Sequence, residues 1–301
     1  MITEKNISRV INREIKSPIC IGSLTDLHIN KENFLSYFQP LFQSLENDEY
    51  LVKENQITFL KNNFPEDIDS ITSIHKPYFE KQLDIQVLAP WTSKLTIEQK
   101  KQFSNISTVT RQRNISTFTI EKLENDYKIQ RVLASSFKQN VNDFRSWKRE
   151  FKQATKEAVE NKLFYELLKK AFELVASKHP EICKLKITSH FMRTLTKGEV
   201  KGENSPEGMH EDGAQYIISA LVVNRKNIRG GETQIFEKIG DNKELIFNKE
   251  LELGEFAFQA DTGEEKTFGN DLWHYVTPIQ PIEMTEQGVR DIIGFDIEIV
   301  K

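Results

Sequence analysis

The chain has little cysteine. Its 301 residues include only two, Cys20 and Cys183, which lie in opposite halves of the sequence. A disulfide framework or a zinc site needs several cysteines at short, regular spacings. We therefore expect neither, and both side chains should be small buried groups.

Long runs of one charge sign or of apolar residues are also missing. The net charge is −4 with 29% charged residues, which gives no electrostatic footprint for nucleic acid. The N-terminal stretch MITEKNISRVINREIK lacks the apolar centre of a signal peptide, and no window approaches the ~18 apolar residues needed to cross a bilayer. These absences predict a cytoplasmic protein without a nucleic-acid or membrane partner, and they leave the oligomeric state open.

Glycine is nearly absent from the first two thirds of the chain. Of 13 glycines, only Gly22 precedes Gly198. Because glycine supplies the positive φ angles of tight turns, we expect turn-rich β structure late in the chain and mainly helices before it. The prediction is an α+β fold. Residues 1–110 would form a mainly helical N-terminal extension that serves as a lid or substrate cover, and residues 111–301 would form the β domain.

Periodic apolar residues indicate the elements themselves. Three- and four-residue spacings predict helices in three segments, residues 30–46, 95–103 and 143–179. Pro40 should break the first helix, and the third includes Trp147 and Phe151. Alternating segments predict strands at residues 115–120, 127–132, 185–195, 216–223, 233–238, 255–259, 272–279 and 289–300. Many short strands separated by glycine-containing turns are typical of a sandwich or jelly roll.

His210, Asp212 and His274 are the candidate metal ligands. Residues i and i+2 of a strand project from the same face, so His210 and Asp212 can hold one ion. A third ligand must come from elsewhere, and His274 is the histidine available downstream. Two histidines and one carboxylate favour non-heme Fe(II), with three positions left for a cosubstrate and O2. Each residue also has an ordinary explanation, a solvated turn for the first two and a core position for His274.

Arg290 is the candidate anchor for a dicarboxylate cosubstrate. A buried carboxylate needs a partner, and the planar guanidinium suits bidentate pairing with 2-oxoglutarate. Thr277 and Tyr216 are weaker candidates that would add hydroxyl hydrogen bonds. One difficulty is that the apolar residues of the last strand, beginning at Ile293, have the opposite parity to Arg290. A bulge near Gly294, or a strand covered on both faces, would reconcile the two.

Four blocks occur in a specific order: SPEGMHEDG at 205–213, NRKNIRGGET at 224–233, HYVTPI at 274–279 and GVRD at 288–291. Together they closely resemble the bacterial Fe(II)/2-oxoglutarate dioxygenases of the L-isoleucine 4-hydroxylase type. The resemblance covers the chain well from about residue 185 onward and only loosely over 114–175. The first hundred residues do not match, which leaves the substrate unidentified.

This resemblance implies that residues 111–301 form a double-stranded β-helix, a cupin-like jelly roll with flanking helices. The three candidate ligands would bind Fe(II), and Arg290 would hold 2-oxoglutarate, which is decarboxylated to succinate and CO2. The substrate would be a free L-amino acid hydroxylated at an aliphatic carbon. By position, Arg193 would pair with the substrate carboxylate. Glu207 would either receive the substrate amine or cap the turn at Gly208.

Two other functions stay open at this point. The same chemistry can act on a protein or peptidyl side chain, which an exposed groove would favour. Alternatively, a non-catalytic jelly-roll module can bind a metal without turnover. Arg290 argues against the second, because a metal binder needs no dicarboxylate anchor.

Overall fold

The computed structural model describes residues 1–3, 17–133, 136–139, 143–205, 207–261 and 272–300. Its strands are β1 (Ile2–Thr3), β2 (Ile19–Ser23), β3 (Arg111–Lys122), β4 (Tyr127–Val132), β5 (Lys152–Gln153), β6 (Lys184–Thr196), β7 (Tyr216–Lys226), β8 (Ile228–Gly230), β9 (Glu232–Ile239), β10 (Asn242–Glu250), β11 (Glu255–Ala260), β12 (Leu272–Val276), β13 (Ile279–Pro281) and β14 (Gly288–Ile299). Its α-helices are α1 (Lys31–Phe38), α2 (Tyr50–Asn63), α3 (Ile68–Phe79), α4 (Ala89–Thr92), α5 (Ile97–Ile106), α6 (Lys156–Val159) and α7 (Lys162–Ala176). Within the described ranges, no helix combines the length and apolar character needed to span a membrane.

Large antiparallel sheets dominate the architecture. One sheet has the order β1-β2-β11-β7-β14-β6-β3-β4, with the short strand β5 parallel to β3. Smaller sheets contain β10-β9-β12 and β13-β8. The fold is therefore mixed α/β and is consistent with the expected jelly roll.

The outer face of the large sheet packs against helices α1 and α7. The ring of Phe164 on α7 lies 5.6 Å from Phe191 of β6 and 6.1 Å from Phe295 of β14, and Phe38 of α1 lies 6.4 Å from Phe191. All four side chains are buried. Burial of such rings is a major source of stability, so this side of the sheet forms the main core.

Strand β14 is covered on both faces. This explains how Arg290 can be buried although its parity is opposite to that of the apolar residues from Ile293 onward. Its pairing with β6 runs without a break, with Arg290 opposite Thr194 and Phe295 opposite Ser189. Its pairing with β7 shifts register twice, but the extra residues belong to β7. Phe295 therefore faces the helices while Arg290 faces the opposite, inner side. The second of the two predicted explanations is correct, and the bulges do not alter the direction of Arg290.

A second, smaller core lies among helices α2 to α5. Its members include Ile57, Leu60, Ile71, Leu88 and Trp91. The α5 helix begins with a capping box, in which Thr96 Oγ1 accepts from Gln99 N and Gln99 Oε1 accepts from Thr96 N. Most of this helical region lies within the first hundred residues, which the resemblance of the four sequence blocks does not cover.

The N-terminal prediction needs one correction. The described chain before residue 110 is mainly helical, but β1 and β2 join the large sheet through β11, and Ile19 and Ile21 belong to the main core. The start of the chain is therefore part of the β structure. The boundary at residue 110 and the lid role stay predictions.

Other local predictions were wrong for identifiable reasons. Trp147 and Phe151 lie outside helices. Their four-residue spacing reflects edge-on packing against Phe79 and Tyr50 of the helical region. Pro40 does end α1, after which residues 39–44 form a 3-10 helix. Cys183 is exposed and Cys20 is only partly buried, and strand β10 was not predicted.

Candidate metal centre

His210 and His274 face each other across paired backbone hydrogen bonds. The N–H of His210 donates to the carbonyl of His274 at 3.0 Å, and the reverse bond is 2.9 Å long. Both imidazoles are buried, with ring centroids 4.2 Å apart. His210 Nδ1 lies 2.8 Å from the carbonyl oxygen of Gly208, which leaves Nε2 toward the cluster. Strand β12 thus brings a distant histidine beside His210.

Asp212 reaches the two histidines from a loop. The backbone N–H groups of Asp212, Gly213 and Ala214 donate to Asp261 Oδ2 at 2.8, 2.7 and 3.2 Å. The prediction that His210 and Asp212 project from one strand was therefore wrong. The loop conformation is held instead by a buried carboxylate from the end of β11.

The three side chains form one donor cluster. Asp212 Oδ2 is 3.3 Å from His274 Nε2, and Asp212 Oδ1 is 3.5 Å from His210 Nε2. One ligand atom from each residue lies within 4.8 Å of the others. The sequence-predicted ligand set is thus brought together in the fold.

Charge in this cluster is strongly perturbed. Burial opposes ionisation of Asp212, but the neighbouring imidazoles of His274 and His210 hold its pKa well below the usual value. Burial also disfavours the charged form of His210, yet the carboxylates of Glu207 and Asp212 raise its pKa to about 9. Metal binding requires a neutral imidazole, so an ion bound here would take the place of the proton on His210.

Gln139 is a partner of Asp212 that the sequence did not reveal. Its Nε2 donates to Asp212 Oδ1 at 2.6 Å, and its Oε1 accepts from Arg149 Nη2 at 2.7 Å. Such contacts behind a ligand orient it. No motif surrounds Gln139, so only the fold discloses this link.

Arg290 is buried with unused hydrogen-bond donors. The residue is 2% exposed, and its side chain donates from Nη1 to Asn204 Oδ1 at 3.4 Å. Within the described residues, Nε and Nη2 donate no hydrogen bond. Burial, followed by repulsion from Arg225, lowers the pKa of Arg290 to about 9. A carboxylate from a bound molecule would satisfy these donors.

Gly231 gives Arg290 its space. A Cβ atom at this position would lie 3.0 Å from Arg290 Cδ and 3.1 Å from Nε, and the φ angle of +73° disfavours other residues. Gly230 and Gly231 are the paired glycines of the second sequence block. One of them lies directly against the predicted anchor.

One cavity joins these groups. The three candidate ligands and Arg290 all line it, together with Glu207 and Asp296. Its walls include aromatic and aliphatic side chains from the helical region and the loops: Tyr50, Leu51, Phe79, Phe137 and Phe144. Four further arginines also line it: Arg111, Arg113, Arg145 and Arg149. Arg111 and Arg113 are two residues apart, just before the strand predicted at 115–120. This spacing places both side chains on one face of a strand, and it is the sequence signal that could have identified these two arginines.

The weaker cosubstrate candidates lie elsewhere. The hydroxyl of Tyr216 is 2.8 Å from His179 Nε2, and its ring stacks on Phe258 at 5.2 Å. Tyr216 is thus a core residue and does not line the cavity, so its predicted role is corrected. Thr277 Oγ1 accepts from the backbone N–H of Glu232 at 2.9 Å. It supports the start of β9, and its contact with 2-oxoglutarate stays a prediction.

The two predicted substrate residues have different positions. Arg193 lies on the outer face of β6, where Nε and Nη2 donate to Asp291 Oδ1 and Oδ2 at 2.7 and 2.8 Å. It does not line the cavity, so its assignment to a substrate carboxylate is corrected. Glu207 does line the cavity, with Oε1 3.1 Å from His210 Nε2 and 3.8 Å from Arg145 Nη1. Its contact with a substrate amine stays a prediction.

The sequence profile of a family described as 2OG-Fe dioxygenase matches residues 97–296. The chain belongs to this family. No curated protein sequence matches the chain. Solved structures with a similar fold include the two described next. A BsmA homologue from Methylobium petroleophilum PM1 has 16% identity and a TM-score of 0.62, over 97% of this chain and 91% of that one. IDO from Bacillus thuringiensis has 17% identity and a TM-score of 0.56, over 99% and 96%.

Membership in the 2OG-Fe dioxygenase family implies Fe(II), 2-oxoglutarate and O2, and the residues present fit the first two. The clustered histidines and carboxylate match the donor set for non-heme Fe(II). The unmatched donors of Arg290 in the same cavity match the far carboxylate of the oxo acid. When bound, iron and 2-oxoglutarate supply the oxidising power, and the protein supplies position and exclusion of water. Here Asp261 and Gln139 hold Asp212, while Gly231 makes room for Arg290.

Proposed function

We propose that this 2OG-Fe dioxygenase hydroxylates an aliphatic carbon of a free L-amino acid or a close relative, as the L-isoleucine 4-hydroxylase type does. The observation that carries the proposal is the shared cavity. With its ligand cluster assigned to iron and the unused donors of Arg290 to 2-oxoglutarate, the remaining charged and apolar lining is left for a substrate. The proposal includes a double-stranded β-helix for the catalytic part and a cytoplasmic location.

The helical region supports a small substrate over a protein side chain. Tyr50, Leu51 and Phe79 come from α2 and α3, and all three line the cavity. Elements that cover a site restrict access to molecules that fit inside it. We therefore keep the lid role of this region within the proposal.

The chemistry of the lining supports an amino acid in particular. Apolar groups suit a hydrocarbon side chain. The carboxylates of Glu207 and Asp296 can accept from an ammonium group, and the arginines can donate to a carboxylate. A free amino acid offers all three features in one small molecule.

The test is a turnover assay with a mixed pool of L-amino acids. Purified protein is incubated with Fe(II), ascorbate, 2-oxoglutarate and the pool, and succinate is measured beside a mass spectrum of the products. We expect succinate above the uncoupled background and one amino acid that gains one oxygen atom. His274→Ala is the control for metal-dependent turnover. No succinate above background with any member of the pool would contradict the proposal.

A further inference from the structure

Arg113 and Arg149 present unused donors to the cavity. Arg149 is 5% exposed, and its Nη2 donates to Gln139 Oε1 and to the carbonyl of Arg145. Arg113 Nη2 donates to Met192 Sδ at 3.0 Å, a weak acceptor. The Nε atoms of both arginines donate no hydrogen bond within the described residues. Arg149 therefore resembles Arg290 in having a buried Nε without an acceptor, and Arg113 Nε forms no hydrogen bond although Asp48 Oδ2 lies 3.4 Å away.

The positive charge at this end of the cavity exceeds the negative charge that balances it. Asp48 is fully enclosed, and its Oδ2 is 2.8 Å from Arg111 Nε and 3.4 Å from Arg113 Nε. Among the described residues, no carboxylate forms an ion pair with Arg149. One carboxylate thus ion-pairs with two guanidiniums, while Arg149 is influenced by Asp48 and Glu207 only at longer range. Repulsion from Arg113 adds to burial in lowering the pKa of Arg149 to about 10.

Aromatic rings fix the planes of the two guanidiniums. Arg113 lies over the ring of Phe151, with Cζ 5.1 Å from the centroid, and Arg149 lies over Phe137 at 4.9 Å. Stacking of this kind holds a guanidinium by its face and leaves its edge free to donate. The edge is the part that pairs with a planar carboxylate.

We propose that Arg113 and Arg149 bind the carboxylate of the substrate, at a subsite separate from Arg290. This inference rests on the proposed function and names the group that the site recognises. Arg113 and Arg149 take the role predicted from the sequence for Arg193, because Arg193 is ion-paired with Asp291 on the other face of the sheet. Glu207 and Asp296, which line the same cavity, disfavour a more highly charged group such as a phosphate.

Binding can be tested without iron, 2-oxoglutarate or turnover. The probe is 3-methylbutanoate, a small aliphatic carboxylate, titrated into the metal-free full-length protein by calorimetry and by saturation-transfer NMR. Its neutral analogue, 3-methylbutanamide, and inorganic phosphate are run beside it. The variants are Arg113→Gln, Arg113→Lys and Arg290→Gln, each checked by circular dichroism for the native spectrum.

We expect the carboxylate to bind wild-type protein and Arg290→Gln, and to bind Arg113→Gln at least about tenfold more weakly, the scale of a charge-assisted hydrogen bond. Arg113→Lys keeps a cation without the planar fork and should be intermediate. If Arg113→Gln does not fold, Arg149→Gln takes its place.

Three results would overturn the proposal. They are equal binding of the amide, tighter binding of phosphate than of the carboxylate, or loss of binding in Arg290→Gln but not in Arg113→Gln. Absence of carboxylate binding to wild-type protein would count against it as well. Because the assay contains neither cofactor nor cosubstrate, a failure of amino-acid turnover would leave this result unchanged, and the two hypotheses can fail separately.

Discussion

Arg193 and Asp291 form a buried bidentate ion pair directly behind Arg290. The two bonds are 2.7 and 2.8 Å long, and Asn224 Nδ2 also donates to Asp291 at 3.0 Å. Asp291 follows Arg290 in β14 but points to the opposite face of the sheet. Two adjacent residues thus have separate functions, one turned toward the cavity and the other holding the strand from outside.

Replacing Arg193 should affect stability more than binding. Arg193→Gln leaves the carboxylate of Asp291 buried without its cation, which typically costs about 3–5 kcal/mol. We expect a lower free energy of unfolding in urea and unchanged 3-methylbutanoate affinity in the folded fraction. A variant with wild-type stability that no longer binds the carboxylate would return Arg193 to a substrate role.

Replacing Gly231 should weaken 2-oxoglutarate binding by displacing Arg290, in addition to straining the backbone. Gly231→Ala puts a Cβ 3.0 Å from Arg290 Cδ at a φ of +73°, so we expect both lower stability and weaker 2-oxoglutarate binding. Gly240→Ala is the matched control, because Gly240 has a φ of +59° with nothing within 4 Å of the added atom. Positive φ alone costs on the order of 1 kcal/mol.

The measurement for this pair is the dissociation constant of 2-oxoglutarate in metal-loaded, oxygen-free protein, together with urea unfolding. Both variants should lose some stability, and only Gly231→Ala should lose cosubstrate affinity. Equal 2-oxoglutarate affinity in the two variants would mean that Arg290 adjusts to the added methyl group or does not hold the cosubstrate.

Local patterns were sufficient to predict several elements and the three residues that form the donor cluster. The capping residues Thr96 and Gln99 set the start of α5, and alternation predicted strands such as β4 and β6. These signals depend on near neighbours in sequence. His274 was identified by a chemical requirement, because a metal held by two ligands needs a third donor. That requirement does not depend on knowing the fold.

Features that depend on distant contacts were not predictable in this way. The aromatic spacing of Trp147 and Phe151 matches a helix but arises from packing on α2 and α3. Arg193 and Arg290 look equally suitable as anion anchors until their strands are paired and their faces assigned. Arg149 and Gln139 enter the site from loops, so only tertiary structure brings them to the cavity.

Asp48 should make stability depend on pH in the acidic range. Burial opposes its ionisation, but Arg111 and Arg113 hold its folded pKa below the usual value, and the unfolded pKa is about 3.9. Its stabilising contribution is therefore complete above the unfolded pKa and is lost as pH falls through the folded pKa. Asp48→Asn should be less stable at neutral pH, by roughly 3–5 kcal/mol, and this deficit should shrink below about pH 4.

Urea unfolding between pH 7 and pH 3 measures this deficit. The control is Asp126→Asn, which removes an exposed partner of Lys169 and should change stability little at any of these pH values. A deficit for Asp48→Asn that stays constant down to pH 3 would show that the carboxylate charge does not carry the effect.

We expect iron binding by the donor cluster to require Asp212. Asp212→Ala removes the carboxylate that lies 3.3 and 3.5 Å from the two imidazoles, and two histidines alone hold Fe(II) poorly. We expect loss of Fe(II) in anaerobic equilibrium dialysis, with the folded circular dichroism spectrum retained. Asp69→Ala, which alters an exposed carboxylate on α3, should bind iron as the wild type does. If Asp212→Ala keeps stoichiometric iron and turnover, the third ligand must be another oxygen, and Glu207, 3.1 Å from His210 Nε2, is the next residue to replace.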